Sequence, residues 1–158
     1  MRRVLKVSLL FITALTFFIA CSDDDDEYDY VIEYLTLPVE ARNLVETHFK
    51  GMAVTQVRQK YVADEDGTLY SLFLSTGYEI DFDSKGSWIS IDGNNTKAIP
   101  STLFGTELPE AIKVYVSAEY PNIEIVEVEK KSYGFKIELK NDIDLRFSSD
   151  GKFISVDK

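Results

Sequence analysis

Three carboxylates, Glu79, Asp81 and Asp83, recur at every second position of this chain, a spacing that puts them on one face of a strand. Two chemistries call for such a set: proton transfer by a paired acid and base, and ligation of a hard cation. Acid/base work needs one carboxyl in an apolar pocket that raises its pKa, and a strand face turned to water offers none. For ligation, Asp81-Phe82-Asp83-Ser84-Lys85-Gly86 imitates the opening of a calcium loop, with oxygens at positions one and three and glycine at six. Lys85 then sets a cation at position five, and Asp92 stands at twelve where glutamate belongs, so a hairpin turn explains the segment better. Asp64-Glu65-Asp66-Gly67 reads the same way, as a hairpin tip whose glycine suits positive φ. His48 is the only histidine, which excludes a two-histidine metal site and a second histidine for any relay. No serine stands in a Gly-x-Ser-x-Gly elbow. The reading is of a protein that is not an enzyme and uses no cofactor or resident metal.

A binding surface is the remaining candidate. In Trp88-Ile89-Ser90-Ile91 strict alternation points the isoleucines to the core and sends Trp88 outward with Ser90, and the same logic sets Phe153 beside Ser155. Two large aromatics on a polar sheet face suit an interface core with a polar rim. Asp81 and Arg146, of opposite charge, are expected to flank them or to pair with each other. Trp88, Phe153, Arg146 and Asp81 therefore form the expected ligand-binding set.

The start of the chain says where this would happen. Met1-Arg2-Arg3-Val4-Leu5-Lys6 is basic, and the apolar run from Val7 to Ala20 suits a signal-peptide core and is short for a bilayer span. Phe18-Ile19-Ala20-Cys21 resembles a lipobox, with a small residue before the only cysteine. The expectation is cleavage after residue 20 and a lipid on Cys21, the chain's membrane contact, which leaves the mature protein without a free thiol. Removing Arg2, Arg3 and Lys6 leaves 14 bases against 27 acids. Six of those acids lie between Ser22 and Tyr30 and repel one another into a solvated tether, assigned to residues 21–34. The negative balance argues against nucleic-acid partners. Ser22 follows the cysteine in place of the aspartate of inner-membrane retention, so an outer-membrane anchor is expected, facing either the periplasm or the cell surface.

Residues 35–158 read as one unit written twice, 35–96 and 97–158. Leu37-Pro38 and Leu108-Pro109 each open a helix, and at that offset of 71 Phe49 falls on Tyr120, Val54 on Ile125 and Val57 on Val128. Further on, Ile80 to Asp92 matches Leu145 to Asp157 at an offset of 65, the shortfall lying in a longer hairpin around Ala63 to Gly67. Helical periodicity over Pro38–Lys50 and Pro109–Tyr120 gives way to strand alternation, with turns at Asp66-Gly67, Thr76-Gly77, Lys85-Gly86, Tyr133-Gly134, Asn141-Asp142 and Asp150-Gly151. Ile99 to Phe104 should add a short helical turn between the copies. Tyr78, Ile80 and Phe82 oppose Glu79, Asp81 and Asp83, and Phe135, Ile137 and Leu139 oppose Lys136, Glu138 and Lys140. This predicts an α+β fold: two tandem α-β4 repeats forming a continuous antiparallel sheet, with helices packed on one face.

The Leu-Pro starts, the helix closed by Tyr120-Pro121, the strand run and the aromatic after a turn glycine resemble PepSY-like domains, also described as β-lactamase-inhibitor-protein-like. The resemblance covers Leu35 to Lys158, and the first copy departs from it with Phe49-Lys50-Gly51 in place of Tyr-Pro. It implies tandem α-β4 units sharing one sheet, in secreted or periplasmic proteins. No motif marks inhibitory residues, so inhibitor activity is not carried over. The expected function is a non-catalytic, lipid-anchored envelope module that engages a protein or peptide through its open sheet face. The alternatives are a calcium-binding protein using Glu79, Asp81, Asp83 and the acidic tail, and an inhibitor of an envelope or secreted hydrolase.

Overall fold

The computed structural model describes residues 29–157, so Cys21 and the acidic run lie outside the described residues. The fold is α+β, with one nine-stranded antiparallel sheet whose strands lie in chain order. Its elements are β1 (Tyr30–Val31), α1 (Val39–His48), β2 (Val54–Gln59), β3 (Tyr70–Leu74), β4 (Glu79–Phe82), β5 (Trp88–Asp92), α2 (Glu110–Glu119), β6 (Ile125–Lys131), β7 (Gly134–Leu139), β8 (Ile143–Ser148) and β9 (Phe153–Asp157). Four strands thus follow each helix. A 3-10 turn at Ser101–Leu103 stands where the linking helical turn is expected, and a second at Tyr34–Thr36 precedes α1. Tyr30–Val31, assigned by sequence to the tether, instead pairs with Arg58 and Gln59 and edges the sheet.

Period-two alternation splits each strand. Leu72, Ile80, Phe82, Ile91, Val128, Ile137, Leu145 and Phe147 are buried and join Ala41, Leu44, Val45, Ile112 and Val116 from the helices in one core. Pro38 and Pro109 stand immediately before the first turns of α1 and α2, a place where a missing N–H costs nothing. Both prolines meet a turn glycine. A Cβ on Gly86 (φ +87°) would come within 2.7 Å of the Pro38 Cβ and 2.9 Å of the Ala41 backbone nitrogen, and one on Gly151 (φ +82°) within 2.6 Å of the Pro109 Cβ. The helix-opening prolines and the turn glycines, 48 and 42 positions apart in sequence, are therefore two sides of one contact that seats each helix start on its last hairpin.

The register corrects the expected ligand-binding set. Phe82 pairs with Trp88 while Asp81 pairs with Ser90, so Ile89 is an extra residue in β5. Phe147 pairs with Phe153 while Arg146 pairs with Ser155, so Ile154 is extra in β9. A bulge shifts the alternation by one, which turns Trp88 and Phe153 onto the buried side. Trp88 is only 2% exposed, stacked on Phe135 at 6.3 Å between centroids. Phe153, at the sheet end, keeps 37% exposure but stacks on Tyr115 of α2 at 4.5 Å and meets Phe147 edge-on at 5.8 Å. Neither aromatic lies on the open sheet face.

Two outcomes follow. Gly86→Ala should cost about 1–3 kcal/mol more than Gly77→Ala, because both need positive φ but only Gly86 is crowded, and chemical denaturation of the two variants gives that difference. Trp88→Ala should cost about 3–5 kcal/mol as a core truncation, and a loss below 1 kcal/mol would show Trp88 to be a surface residue after all.

Candidate functional site

With Trp88 and Phe153 turned inward, the polar face of the sheet carries two parallel rows of side chains read directly across the strands, all polar but Phe73. One row runs Arg58, Ser71, Asp81, Ser90, Glu129, Lys136, Arg146, Ser155. The row beside it runs Gln56, Phe73, Glu79, Asp92, Glu127, Glu138, Asp144, Asp157. From β4 to β9 every position in that second row is a carboxylate, six side by side. Directly opposed like charges on neighbouring strands are destabilising, and adjacent members sit one strand spacing apart, about 4.8 Å.

The row is neutralised at one end only. Lys136 reaches across from the neighbouring row to Asp144 at 3.1 Å and also meets Glu129 of its own row at 3.2 Å, and these carboxylates raise its pKa despite the opposing effect of burial. Arg146 donates two hydrogen bonds to Asp157, Nε to Oδ2 at 2.9 Å and Nη2 to Oδ1 at 2.6 Å, and lies over the Tyr133 ring at 5.5 Å. Towards the middle the carboxylates are less well compensated. Burial, the adjoining Glu138 carboxylate, Glu129 and Asp92 push the Glu127 carboxyl up to about 8, with Lys136 opposing. Burial and the charges of Asp81 and Asp92 also raise the Glu79 carboxyl, against Arg58 and Lys60.

Asp81 and Arg146 do lie on this face, in the same row, but each has its own partner and they do not pair with each other. Asp81 accepts a hydrogen bond from the Ser71 hydroxyl at 2.5 Å, and burial raises its pKa while that bond lowers it. The other sequence candidates have local duties. Asp83 Oδ1 accepts from the backbone N–H of Lys85 at 2.8 Å and of Ser87 at 2.9 Å, closing the hairpin that imitated a calcium loop. Asp66 Oδ1 likewise accepts from the Thr68 N–H at 2.9 Å. His48 Nδ1 lies 3.0 Å from the Thr102 hydroxyl, and burial lowers its pKa. Among the described residues no group of three or more His, Cys, Asp or Glu is placed to hold a metal ion, since the acidic row spreads along a line and does not converge. No helix among them is long and apolar enough to cross a membrane.

Sequence reasoning missed this row, although Glu79 was singled out. Its members come from six strands, and only the pairing register brings them side by side. The one signal available was that the polar positions of β4 and β6 are acids, Glu79 and Asp81 on the one and Glu127 and Glu129 on the other.

A family model described as "Putative beta-lactamase-inhibitor-like, PepSY-like" matches residues 68–155. Among solved structures, one from Bacteroides vulgatus, described as a putative periplasmic protein of unknown function, is 32% identical with a TM-score of 0.72, over 83% of this chain and 100% of that one. A second B. vulgatus structure, of a putative periplasmic protein from the DUF2874 family, is 25% identical with a TM-score of 0.70, over 85% and 99% of the two chains. A third, from Bacteroides thetaiotaomicron, described as a putative calcium-regulated periplasmic protein, shares the fold with a TM-score of 0.72 at 24% identity, over 82% and 97%. No curated protein matches. The family model spans more than half of the chain, and the chain belongs to the PepSY-like, β-lactamase-inhibitor-like family.

Proposed function

We propose that this chain is a non-catalytic binding module of the cell envelope, held at the outer membrane by a lipid on Cys21, and that its open sheet face engages a basic segment of a protein or peptide. In this reading the chain is two tandem α-β4 units with both helices on the buried side, which leaves the other face uncovered. The observation that carries it is the line of six carboxylates. Such a line costs the fold stability and serves a ligand whose cations repeat along its length. An extended peptide laid across the strands meets that description better than one ion, which needs oxygens that converge.

Calcium is the second reading, favoured by the under-compensated stretch Glu79, Asp92, Glu127 and Glu138 and by the description of the B. thetaiotaomicron neighbour. Calorimetric titration separates the two. A lysine-rich decapeptide should bind, more weakly as salt rises, and Glu127→Gln with Glu138→Gln should weaken it about tenfold. Heat from millimolar calcium chloride with none from the peptide would transfer the site to the second reading, and silence from both would remove the acidic face as a binding surface.

The raised Glu127 pKa also fixes a pH dependence. Its carboxyl holds a proton in the folded state up to about 8, against 4.5 for an exposed glutamate, so unfolding releases a proton in that window and stability falls as pH rises through it. Glu127→Gln should flatten the fall between pH 5 and pH 8.5 and gain about 1–2 kcal/mol at the upper end, allowing for screening of the exposed side of the group. Thermal melts across that range provide the check.

A further inference from the structure

The buried side holds a cleft of about 460 Å3 at the seam between the halves, where α1, the turn before β5, the loop before α2 and the end of β6 meet. Its size falls within the range of small-ligand pockets. Trp88 forms part of the wall, and Lys130 places its ammonium 4.0 Å above the indole ring. The Trp88 Nε1–H donates to Glu107 Oε2 at 3.1 Å. Glu40 and Glu107 also line the cleft, both exposed, with Asn43 and Thr47 from α1 as uncharged polar groups.

Two features set this place apart. Lys130 is half-buried, yet among the described residues no carboxylate lies within 4.0 Å of its ammonium; the half-buried Lys60 and Lys136 each hold one, and the other described lysines without one, Lys50, Lys85 and Lys97, are exposed. Burial accordingly lowers its pKa, with Glu107 and Asp83 acting only as charges at longer range. The second feature is a space that the other half of the chain fills. Tyr115 of α2 stacks on Phe153 at 4.5 Å, and 71 positions earlier Leu44 of α1 stands near Trp88, smaller and without a ring, beside an open cleft.

We infer that this cleft binds a small zwitterion, a free amino acid or a dipeptide, with its carboxylate on the Lys130 ammonium and its own ammonium at the Glu40 and Glu107 carboxylates. A half-buried cation supplies a charge-assisted hydrogen bond that water meets only in part. The acidic groups at the mouth accept the opposite end, and together the two charges reject ligands that carry only one. This site lies on the other side of the sheet from the acidic row and does not depend on it.

Trp88 is the only tryptophan, so the protein carries its own reporter. Full-length protein should be titrated with L-alanine, L-leucine and dialanine, and separately with acetate and ethylamine, following tryptophan fluorescence and confirming heat by calorimetry. A saturable response to at least one zwitterion, and none to acetate or ethylamine at equal concentration, is the expected result. Lys130→Met should weaken that binding at least about tenfold while leaving the melting temperature nearly unchanged, since the desolvated charge it removes offsets the lost contact over the Trp88 ring. Glu40→Gln should weaken it less and leave the melt unchanged. No response to any zwitterion overturns the inference, and so does acetate binding as well as alanine, or a zwitterion whose affinity Lys130→Met leaves intact in a folded protein. Because neither variant touches the open face, decapeptide binding serves as the separate control on the acidic row.

Discussion

The extra residues in β5 and β9 decide what each face of this sheet can do. Ile89 and Ile154 each shift the alternation of a short strand by one place, so the aromatic before each bulge turns away from the polar rows, Trp88 into the core and Phe153 onto Tyr115, and the residues after it continue those rows. Without the bulge in β5, Trp88 would stand on the open face and break the polar rows with an indole. With it, the ring stacks on Phe135 and carries the Lys130 ammonium over its face, its N–H is met by Glu107, and it forms a wall of the seam cleft. One inserted residue therefore both clears the acidic face and furnishes the cleft on the opposite side.

This accounts for what could be read in the sequence. Helices announced themselves through apolar periodicity, prolines at their starts and an aromatic at their ends, and Val39–His48 and Glu110–Glu119 fall within the expected spans. Turns were legible because positive φ selects its residues: Gly67, Gly77, Gly86, Gly134, Asp142 and Gly151 all adopt it where a turn was expected. Asp81 and Arg146 were placed on the correct face because the extra residues lie on the partner strands β5 and β9, which leaves the alternation within β4 and β8 unbroken. Trp88 and Phe153 were not, since strict alternation was applied through a bulge, and Trp-Ile-Ser-Ile supports two face assignments with no Gly to flag the irregularity. The two residues of β1 escaped notice because they have no pattern of their own and pair only as an edge. The acidic row was illegible for a deeper reason, as its members are related by register and not by spacing.

Charge is distributed unevenly over the open face. Cations are concentrated on β7 and β8, where Lys136 and Arg146 reach across to Asp144 and Asp157, so the C-terminal end of the carboxylate row is locally neutral. On β4, β5 and β6 the adjoining row offers Asp81, Ser90 and Glu129, which supply no positive charge. The fold thus concentrates uncompensated negative potential over its central strands, and protonation of Glu127 is the relief available when nothing cationic is bound. A bound cation and a proton are then alternatives at the same carboxylates, and each is expected to displace the other.

Both candidate sites meet on β6. Glu127 and Glu129 turn to the open face, while Val128 enters the core and Lys130 shares its side, opposite Phe135. A slip of one residue in β6 would bury the acids and expose Val128, so the joint between β5 and β6 has to be fixed. Only Ser90, Ile91 and Asp92 pair across it, and the loop that follows completes the lock: Gly93 N–H donates to the Val126 carbonyl at 2.8 Å, and Ile99 N–H to that of Ile125 at 2.8 Å. Glycine is required there by space. A Cβ at 93 would lie 2.1 Å from the Lys97 carbonyl oxygen, displacing the loop that closes the joint. Gly93 contributes no side chain to the carboxylate row or the cleft, yet it holds the register on which the faces of Glu127 and Lys130 both depend.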